Sequence, residues 1–237
     1  MNRLPAIEGA EPLLLDVADV QLGGYAWWSQ RSAPAVLLLH GWGEDASTMA
    51  PVAGQVRSRL WHAVSISLRG WPGSTGVDDY GLSAAQDIAG ALDWIRAQPR
   101  VSSAALLGFS MGGLMASLAA AEQAPGALAG VTVVSAPSDL TAFYRDTAYD
   151  GVRRYLDATL QPQQWRDSSP LTHASRLVHP MLVVTGTRDS MTPPAQGGQL
   201  AEAAPNAQHM EVDGMDHRPS EAQWERILSV SAQLFGL

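Results

Sequence analysis

The chain has 237 residues, of which 46% are hydrophobic and 16% charged, and its net charge is -8. This length and apolar content suit one large α/β domain, and the acidic excess disfavours binding to nucleic acid or to an anionic membrane surface. The absence of Cys excludes disulfides, thiolate nucleophiles and Cys-ligated metal sites, and the absence of Lys excludes Schiff-base chemistry.

The N-terminal residues contain no apolar run long enough for a signal peptide, and no segment approaches the roughly 18 consecutive apolar residues of a membrane span. We therefore expect a cytoplasmic protein without a membrane span. The sequence does not indicate an oligomeric state.

Short runs rich in Val, Ile and Leu alternate with longer helical stretches. Residues 13–28 are expected to form an antiparallel hairpin that turns at Gly23-Gly24. Further strands are predicted over residues 34–39, 63–68, 104–107, 131–135, 181–185 and 208–212. Helices are predicted over about 46–60 and 83–97, from 111, after 193 and over 220–235. This alternation predicts an α/β fold, with a mostly parallel sheet of about eight strands and helices on both faces, in one domain over residues 1–237.

The interval between the strands ending at Ser135 and beginning at Met181 is the longest, and it carries Phe143, Tyr144, Tyr149, Tyr155 and Trp165. A connection of this length is usually structured or functional. We expect residues 139–170 to form a small cap insertion before the penultimate strand. The alternative is an ordinary crossover helix on the far side of the sheet.

Residues 106–113 read L-L-G-F-S-M-G-G, so that Ser110 lies between a predicted strand and a predicted helix. A nucleophile on such a turn needs small residues beside it, because bulky neighbours at Gly108 and Gly112 would collide with the adjoining elements. The turn also brings the hydroxyl to a helix N-terminus, where backbone N–H groups stabilise negative charge. Ser110 is therefore the predicted nucleophile.

A predicted oxyanion hole needs two backbone N–H donors. Met111, which follows the nucleophile, supplies one, and we expect Trp42 in the L-L-L-H-G-W-G segment of residues 37–43 to supply the other. His40 in the same segment ends a buried strand, and we expect it to be a hydrogen-bonded structural residue.

The sequence contains six His residues, and His217 in V-D-G-M-D-H follows the last predicted strand, where the general base of such a site belongs. Asp189, just past the penultimate strand, is the predicted acid that orients it. Asp139, after the strand that begins at Val131, is the alternative. Asp213 and Asp216 flank the His and are expected to be turn residues.

With these residues placed, the sequence resembles the α/β-hydrolase superfamily, most closely the catalytic domains of prolyl-oligopeptidase-like and acyl-aminoacyl-peptidase-like proteins and related small esterases. The resemblance is carried by H-G-W-G, L-R-G-W-P-G-S, G-F-S-M-G-G, and S-P-L-T-H followed by P-M-L-V-V-T-G-T-R-D-S-M-T-P-P. It implies an α/β-hydrolase fold and a Ser110–Asp189–His217 triad. We expect no counterpart of the β-propeller of true prolyl oligopeptidases within these 237 residues, and Ser67 stands where relatives often have Asp.

Several aromatic residues are candidates for the wall of an apolar substrate pocket, namely Trp71, Phe143, Tyr144 and Tyr155. We expect a hydrolase that cleaves small carboxylic esters through an acyl-enzyme, with no cofactor and no metal. The alternatives are a serine aminopeptidase or amidase of the prolyl-oligopeptidase type and a catalytically inactive hydrolase fold that serves as a binding module. Arg69 is either a structural hydrogen-bond donor or a clamp for a substrate carboxylate.

Overall fold

A computed structural model describes residues 4–237 and contains one eight-stranded sheet with the order β1-β2-β4-β3-β5-β6-β7-β8. The strands are β1 Glu11–Val17, β2 Val20–Trp27, β3 Ala33–Leu39, β4 His62–Ile66, β5 Val101–Phe109, β6 Val131–Val134, β7 Met181–Gly186 and β8 Ala207–Val212. β2 is antiparallel to both of its neighbours, and every pair from β4 to β8 is parallel. The predicted mostly parallel sheet is confirmed.

Helices cover both faces of the sheet: α1 Ala50–Ser58, α2 Ala84–Arg96, α3 Met111–Glu122, α4 Leu140–Asp146, α5 Asp150–Thr159, α6 Gln164–Asp167, α7 Pro194–Ala203 and α8 Glu221–Phe235. The central strand β3 shows how the two layers divide. Its Leu37 and Leu39 pack with the core under α2 and α3, whereas Val36 and Leu38 pack with the core under α1 and α8. Successive side chains of a strand point to opposite faces, so that this continuous apolar run fills both cores.

The predicted turn of the first hairpin is wrong. β1 and β2 are joined at Ala18-Asp19, where Ala18 has a φ of 49°, and Gly23 and Gly24 lie inside β2. A Cβ on Gly23 would lie 2.1 Å from the carbonyl oxygen of Gly73, and one on Gly24 would lie 2.0 Å from that of Ser65. The two glycines therefore allow other backbone segments to approach the strand closely, which is a common reason for Gly within a strand.

The long interval between β6 and β7 contains α4, α5, α6 and a 3₁₀ turn over Pro170–Arg176. Asp139 begins α4 as its N-cap, accepting a hydrogen bond from the backbone N–H of Ala142 at 3.0 Å. Phe143 of α4 and Leu156 of α5 are buried in the core on the α2 and α3 side. The insertion predicted before the penultimate strand is thus a short helical array. None of the helices in residues 4–237 has the length and apolar character that a bilayer crossing requires.

Four loops meet at one edge of the sheet because they all follow parallel strands. They are the loop after β3 with residues 40–45, the turn after β5 at Ser110, the loop after β7 with Asp189 and the loop after β8 with His217. The carboxyl ends of parallel strands form the ligand-binding edge of an open α/β sheet. The candidate site is therefore expected at this edge.

Candidate active site

Ser110 lies on a strained turn between β5 and α3, with φ 53° and ψ -120°. Its backbone N–H donates to the carbonyl oxygen of Val134 at 2.8 Å, which ties the turn to β6. A Cβ on Gly108 would lie 2.2 Å from the carbonyl oxygen of Gly112, and one on Gly112 would lie 2.3 Å from that of Leu39. The two glycines thus make the turn possible, and a non-Gly residue held at such a φ is typical of functional sites.

The side chains of Ser110, His217 and Asp189 form one hydrogen-bonded chain. Nε2 of His217 lies 3.0 Å from Oγ of Ser110, and Nδ1 lies 2.9 Å from Oδ2 of Asp189. A carboxylate only accepts, so Nδ1 carries the proton and Nε2 accepts from the Ser hydroxyl. The Asp189 side chain is 1% exposed and that of His217 19%. Proton transfer from Ser110 to Nε2 is geometrically available.

Asp189 is held by two further hydrogen bonds. Its Oδ1 accepts from the backbone N–H of Met191 at 3.0 Å and from that of Thr192 at 2.8 Å. These donors compensate the buried carboxylate and fix which oxygen faces His217. The alternative acid, Asp139, is engaged as the N-cap of α4, and Asp213 accepts from the hydroxyl of Thr187 at 3.2 Å.

His40 is fully buried at the end of β3, where its Nδ1 donates to the carbonyl oxygen of Gly41 at 2.8 Å and its Nε2 accepts from the N–H of Leu68 at 3.0 Å. Burial lowers the pKa of His40 to about 4, so the ring is neutral at pH 7. It shapes the loop without reaching Ser110 through a hydrogen bond. Three other His residues also have partners outside the site, namely His62 with Ser29 and Arg100, His173 with Asp167, and His209 with Thr185.

The backbone N–H groups of Trp42 and Met111 donate to no protein acceptor within residues 4–237. Met111 is the first residue of α3, where N–H groups have no partner inside the helix. A Cβ on Gly112 would lie 2.6 Å from the carbonyl oxygen of His40, so the start of α3 and the loop carrying Trp42 are in close contact. Both N–H groups are thus available to a ligand oxygen at this edge of the sheet.

Tyr155 of α5 connects the insertion with the loop after β3. Its ring centroid lies 5.3 Å from that of Trp42, 6.5 Å from that of Trp71 and 5.6 Å from that of Tyr80. Its hydroxyl donates to Oδ2 of Asp78. Trp42 remains 39% exposed. The insertion therefore contacts the segment that supplies one of the two free N–H groups.

The remaining predicted pocket residues lie differently. Phe143 is only 3% exposed and belongs to the core. Tyr144 packs edge-on against Trp165 at 5.3 Å, and its hydroxyl donates to Asp157 at 3.1 Å, so its contacts are within the insertion. Aromatic contacts thus group Trp71 and Tyr155 with Trp42, but they leave Phe143 and Tyr144 outside that group.

Three residues that the sequence reasoning did not include also contact the site. The Phe109 ring centroid lies 5.1 Å from that of His217, and the guanidinium of Arg218 lies over the Phe109 ring. Glu44 accepts hydrogen bonds from the backbone N–H of Gly41 and from Arg218. The available signals were weak: Phe109 and Arg218 are sequence neighbours of Ser110 and His217, and Glu44 follows H-G-W-G directly.

Arg69 is fully engaged by protein carboxylates. Its guanidinium forms a bidentate pair with Asp87, with two distances of 2.8 Å, and also bonds Asp19. These contacts make it a structural residue of the loop after β4.

In residues 4–237 no three His, Asp or Glu side chains are grouped closely enough to hold a metal ion.

Residues 73–214 match the model of the prolyl oligopeptidase family, which is more than half of the chain. The chain belongs to the prolyl oligopeptidase family. The matched segment includes Ser110 and Asp189 and ends three residues before His217. The family match and the α/β-hydrolase fold agree with what the sequence motifs predict.

Several solved structures resemble the chain closely in backbone. A puromycin-hydrolysing peptidase of Mycobacterium tuberculosis superposes with a TM-score of 0.82 at 20% identity, over 100% of this chain and 40% of that one. An acylaminoacyl peptidase gives 0.76 at 17%, over 96% of this chain and 41% of that one. An esterase of Pyrococcus furiosus gives 0.79 at 16%, over 99% of this chain and 96% of that one. The chain thus spans about two fifths of the peptidases and nearly all of the esterase; at these identities the likeness shows the fold.

Proposed function

We propose that this protein hydrolyses small or medium carboxylic esters through an acyl-enzyme on Ser110. The observation that supports this most directly is the hydrogen-bonded chain from Ser110 through His217 to Asp189, at 3.0 and 2.9 Å, on a turn with a φ of 53°. The proposal assigns Ser110 as nucleophile, His217 as general base and acid, and Asp189 as the carboxylate that orients the imidazole.

In the first half of the proposed reaction, Nε2 of His217 takes the hydroxyl proton of Ser110 as Oγ attacks the ester carbonyl carbon. The N–H groups of Trp42 and Met111 stabilise the oxyanion that forms. Nε2 then gives the proton to the leaving alcohol oxygen, which leaves an ester on Ser110. In the second half, Nε2 takes a proton from water as the water oxygen attacks the acyl carbon. Nε2 then returns this proton to Oγ of Ser110 as the bond from Oγ to the acyl carbon breaks, which releases the carboxylic acid and restores the Ser hydroxyl.

Ester rather than peptide substrates are favoured by the match with the Pyrococcus furiosus esterase, which extends over nearly the whole of both chains. The exposed Trp42 ring beside Tyr155 also offers an apolar surface next to the site. The second candidate, an aminopeptidase or amidase activity, is favoured by the family match and by the peptidase with the TM-score of 0.82. The two differ in the leaving group that His217 must protonate.

Two measurements test the proposal. A fluorophosphonate should add one probe mass to the purified protein, and Ser110→Ala should abolish the addition. Ser135→Ala is the matched control, because Ser135 is also buried, has a positive φ of 51° and directly follows the neighbouring strand β6. Labelling that persists in Ser110→Ala would disprove the nucleophile, and an unlabelled wild-type protein would favour the inactive binding module.

The substrate class is tested with p-nitrophenyl esters of increasing acyl length beside aminoacyl p-nitroanilides. Ester turnover without anilide turnover is the expected result. Anilide turnover with a comparable or higher kcat/KM would assign the protein to the aminopeptidases or amidases instead.

A further inference from the structure

Glu44 contacts both loops that flank the proposed nucleophile. Its Oε2 accepts from the backbone N–H of Gly41 at 3.1 Å and from the hydroxyl of Thr48 at 3.1 Å. Its Oε1 accepts from the guanidinium of Arg218, the residue that follows His217. One carboxylate therefore joins the loop that carries Trp42 to the loop that carries His217.

Phe109 fills the space between the same two loops. The guanidinium carbon of Arg218 lies 4.3 Å from its ring centroid, and the His217 ring lies 5.1 Å away at an angle of 51°. A Cβ on Gly41 would lie 3.0 Å from the Phe109 ring and 3.3 Å from Oε2 of Glu44. Gly41, Phe109 and Arg218 are thus packed together, and Glu44 closes this arrangement with an ion pair whose side chains are 20% (Glu44) and 44% (Arg218) exposed.

We infer that Glu44 and Arg218 are positioning residues, which hold the Gly41-Trp42 segment and the His217 ring in register with Ser110. This inference rests on the proposed function, because it assigns the pair a role in the same acyl transfer. Neither residue contacts the reacting atoms. Glu44 acts through the Gly41 N–H and Arg218, and Arg218 acts through the Phe109 ring and the chain next to His217.

The two charges act on His217 in opposite directions. The reaction turns its imidazole into an imidazolium, which the Arg218 cation disfavours and the Glu44 carboxylate favours. As an ion pair they nearly cancel, so removal of one charge leaves the other uncompensated. Other charged residues around His217 stay unchanged in such variants: Asp189 and Arg188 from the loop after β7, and Asp213 and Asp216 from its own loop.

Glu44→Gln and Arg218→Met should therefore shift the pH profile in opposite senses. The acid limb of kcat/KM for a p-nitrophenyl ester reports the His217 base of the free enzyme. We expect its apparent pKa to fall by a few tenths of a pH unit in Glu44→Gln and to rise similarly in Arg218→Met, with both shifts reduced in 0.5 M NaCl. The kcat should fall about tenfold in each, with KM little changed, because the transition-state geometry is loosened.

Two further variants separate positioning from general structural support. Arg218→Lys keeps the charge and should retain the wild-type apparent pKa, whereas the double variant Glu44→Gln/Arg218→Met should return the apparent pKa to the wild-type value without restoring kcat. Glu225→Gln is the matched control and should leave the profile unchanged. Glu225 of α8 pairs at 2.7 Å with Arg59, which directly follows α1. If Arg218→Met fails to fold, a lowered apparent pKa in Glu44→Gln beside an unchanged one in Arg218→Lys still tests the effect of the charge.

Shifts in the same direction, or an unaltered profile and kcat in folded Glu44→Gln and Arg218→Met, would overturn the inference. Fluorophosphonate labelling of the wild-type protein distinguishes this failure from failure of the proposed function. A labelled, ester-cleaving wild type with insensitive variants refutes the positioning role alone. A wild type that is neither labelled nor active refutes the proposed function and the inference with it.

Discussion

Replacement of Asp189 by Asn changes one atom of the candidate site and should lower kcat strongly. The backbone N–H groups of Met191 and Thr192 both donate to Oδ1 of Asp189. In Asp189→Asn they require the amide oxygen at that position, which brings the NH₂ group to the position of Oδ2 beside His217. The NH₂ group donates to Nδ1, so the imidazole proton moves to Nε2. Nε2 then points an N–H at Ser110 and cannot accept its proton.

The expected loss follows from this tautomer change. In serine proteases with a Ser–His–Asp triad, the equivalent Asp→Asn substitution lowers kcat by about 10⁴-fold, which corresponds to about 5 kcal/mol in activation free energy. Stability should change far less than activity, because the two backbone hydrogen bonds to the side-chain oxygen are kept. The assay is kcat on a p-nitrophenyl ester, with the melting temperature measured in parallel by circular dichroism.

Asp139→Asn is the matched control for the same chemical change. Asp139 caps α4 by accepting from Ala142, and Asn is an equally good N-cap, so kcat should stay within about twofold of wild type. A loss in Asp139→Asn that equals or exceeds the loss in Asp189→Asn would move the acid to the loop after β6. A loss of less than tenfold in folded Asp189→Asn would refute the tautomer argument.

The remaining predictions concern the turn at Ser110, the insertion and the buried His40. Gly112→Ala should abolish fluorophosphonate labelling, because its Cβ would lie 2.3 Å from a backbone oxygen of β3, whereas Gly54→Ala, with open space around its Cβ, should label normally. Tyr155→Ala should shift the preferred acyl length and leave labelling by a small phosphonate intact. Phe143→Ala should instead lower the free energy of unfolding by about 3–5 kcal/mol and affect all esters alike. Equal effects of the two substitutions would contradict the assignment of Tyr155 to the site and Phe143 to the core. Burial lowers the pKa of His40 to about 4 from its usual 6.5, so the stabilisation that depends on its neutral form is present above pH 6.5 and is lost as the pH falls toward 4. In urea unfolding, wild type should lose about 2 kcal/mol more between pH 7 and pH 5 than His40→Gln, and parallel losses would show that His40 titrates normally.

The sheet was predictable because its buried strands are continuous apolar runs bounded by turn residues. The turn of the first hairpin was not predictable, because a Gly-Gly pair such as Gly23-Gly24 looks the same in sequence whether it forms a turn or allows another backbone segment to pack closely against a strand. Only the contacts of Gly73 and Ser65, about 40 to 50 residues away, distinguish the two cases. A sequence window does not contain those contacts, and it gives no warning of the positive φ at Ala18.

The site shows the same division between local and distant signals. The sequence places Ser110, Asp189 and His217 at strand ends, and topology alone brings such ends together, which is why the structure finds them in hydrogen-bond distance. The pair of Glu44 and Arg218 joins residues 174 positions apart on the protein surface, and no pattern in either segment indicates it. Likewise, the count of aromatic residues in the insertion did not reveal which of them reach Trp42.

The way the candidate triad is assembled has a consequence for folding kinetics. His217 is separated in sequence from Ser110 by 107 residues and from Asp189 by 28. The site therefore forms only after β5, β7 and β8 have all paired within the sheet. Closure of such long loops and parallel strand pairing are slow steps. Compact intermediates that lack the last strand would be helical and collapsed but unreactive. The rate at which a refolding sample becomes able to react with a fluorophosphonate would therefore time the last docking event, whereas circular dichroism would time the earlier ones.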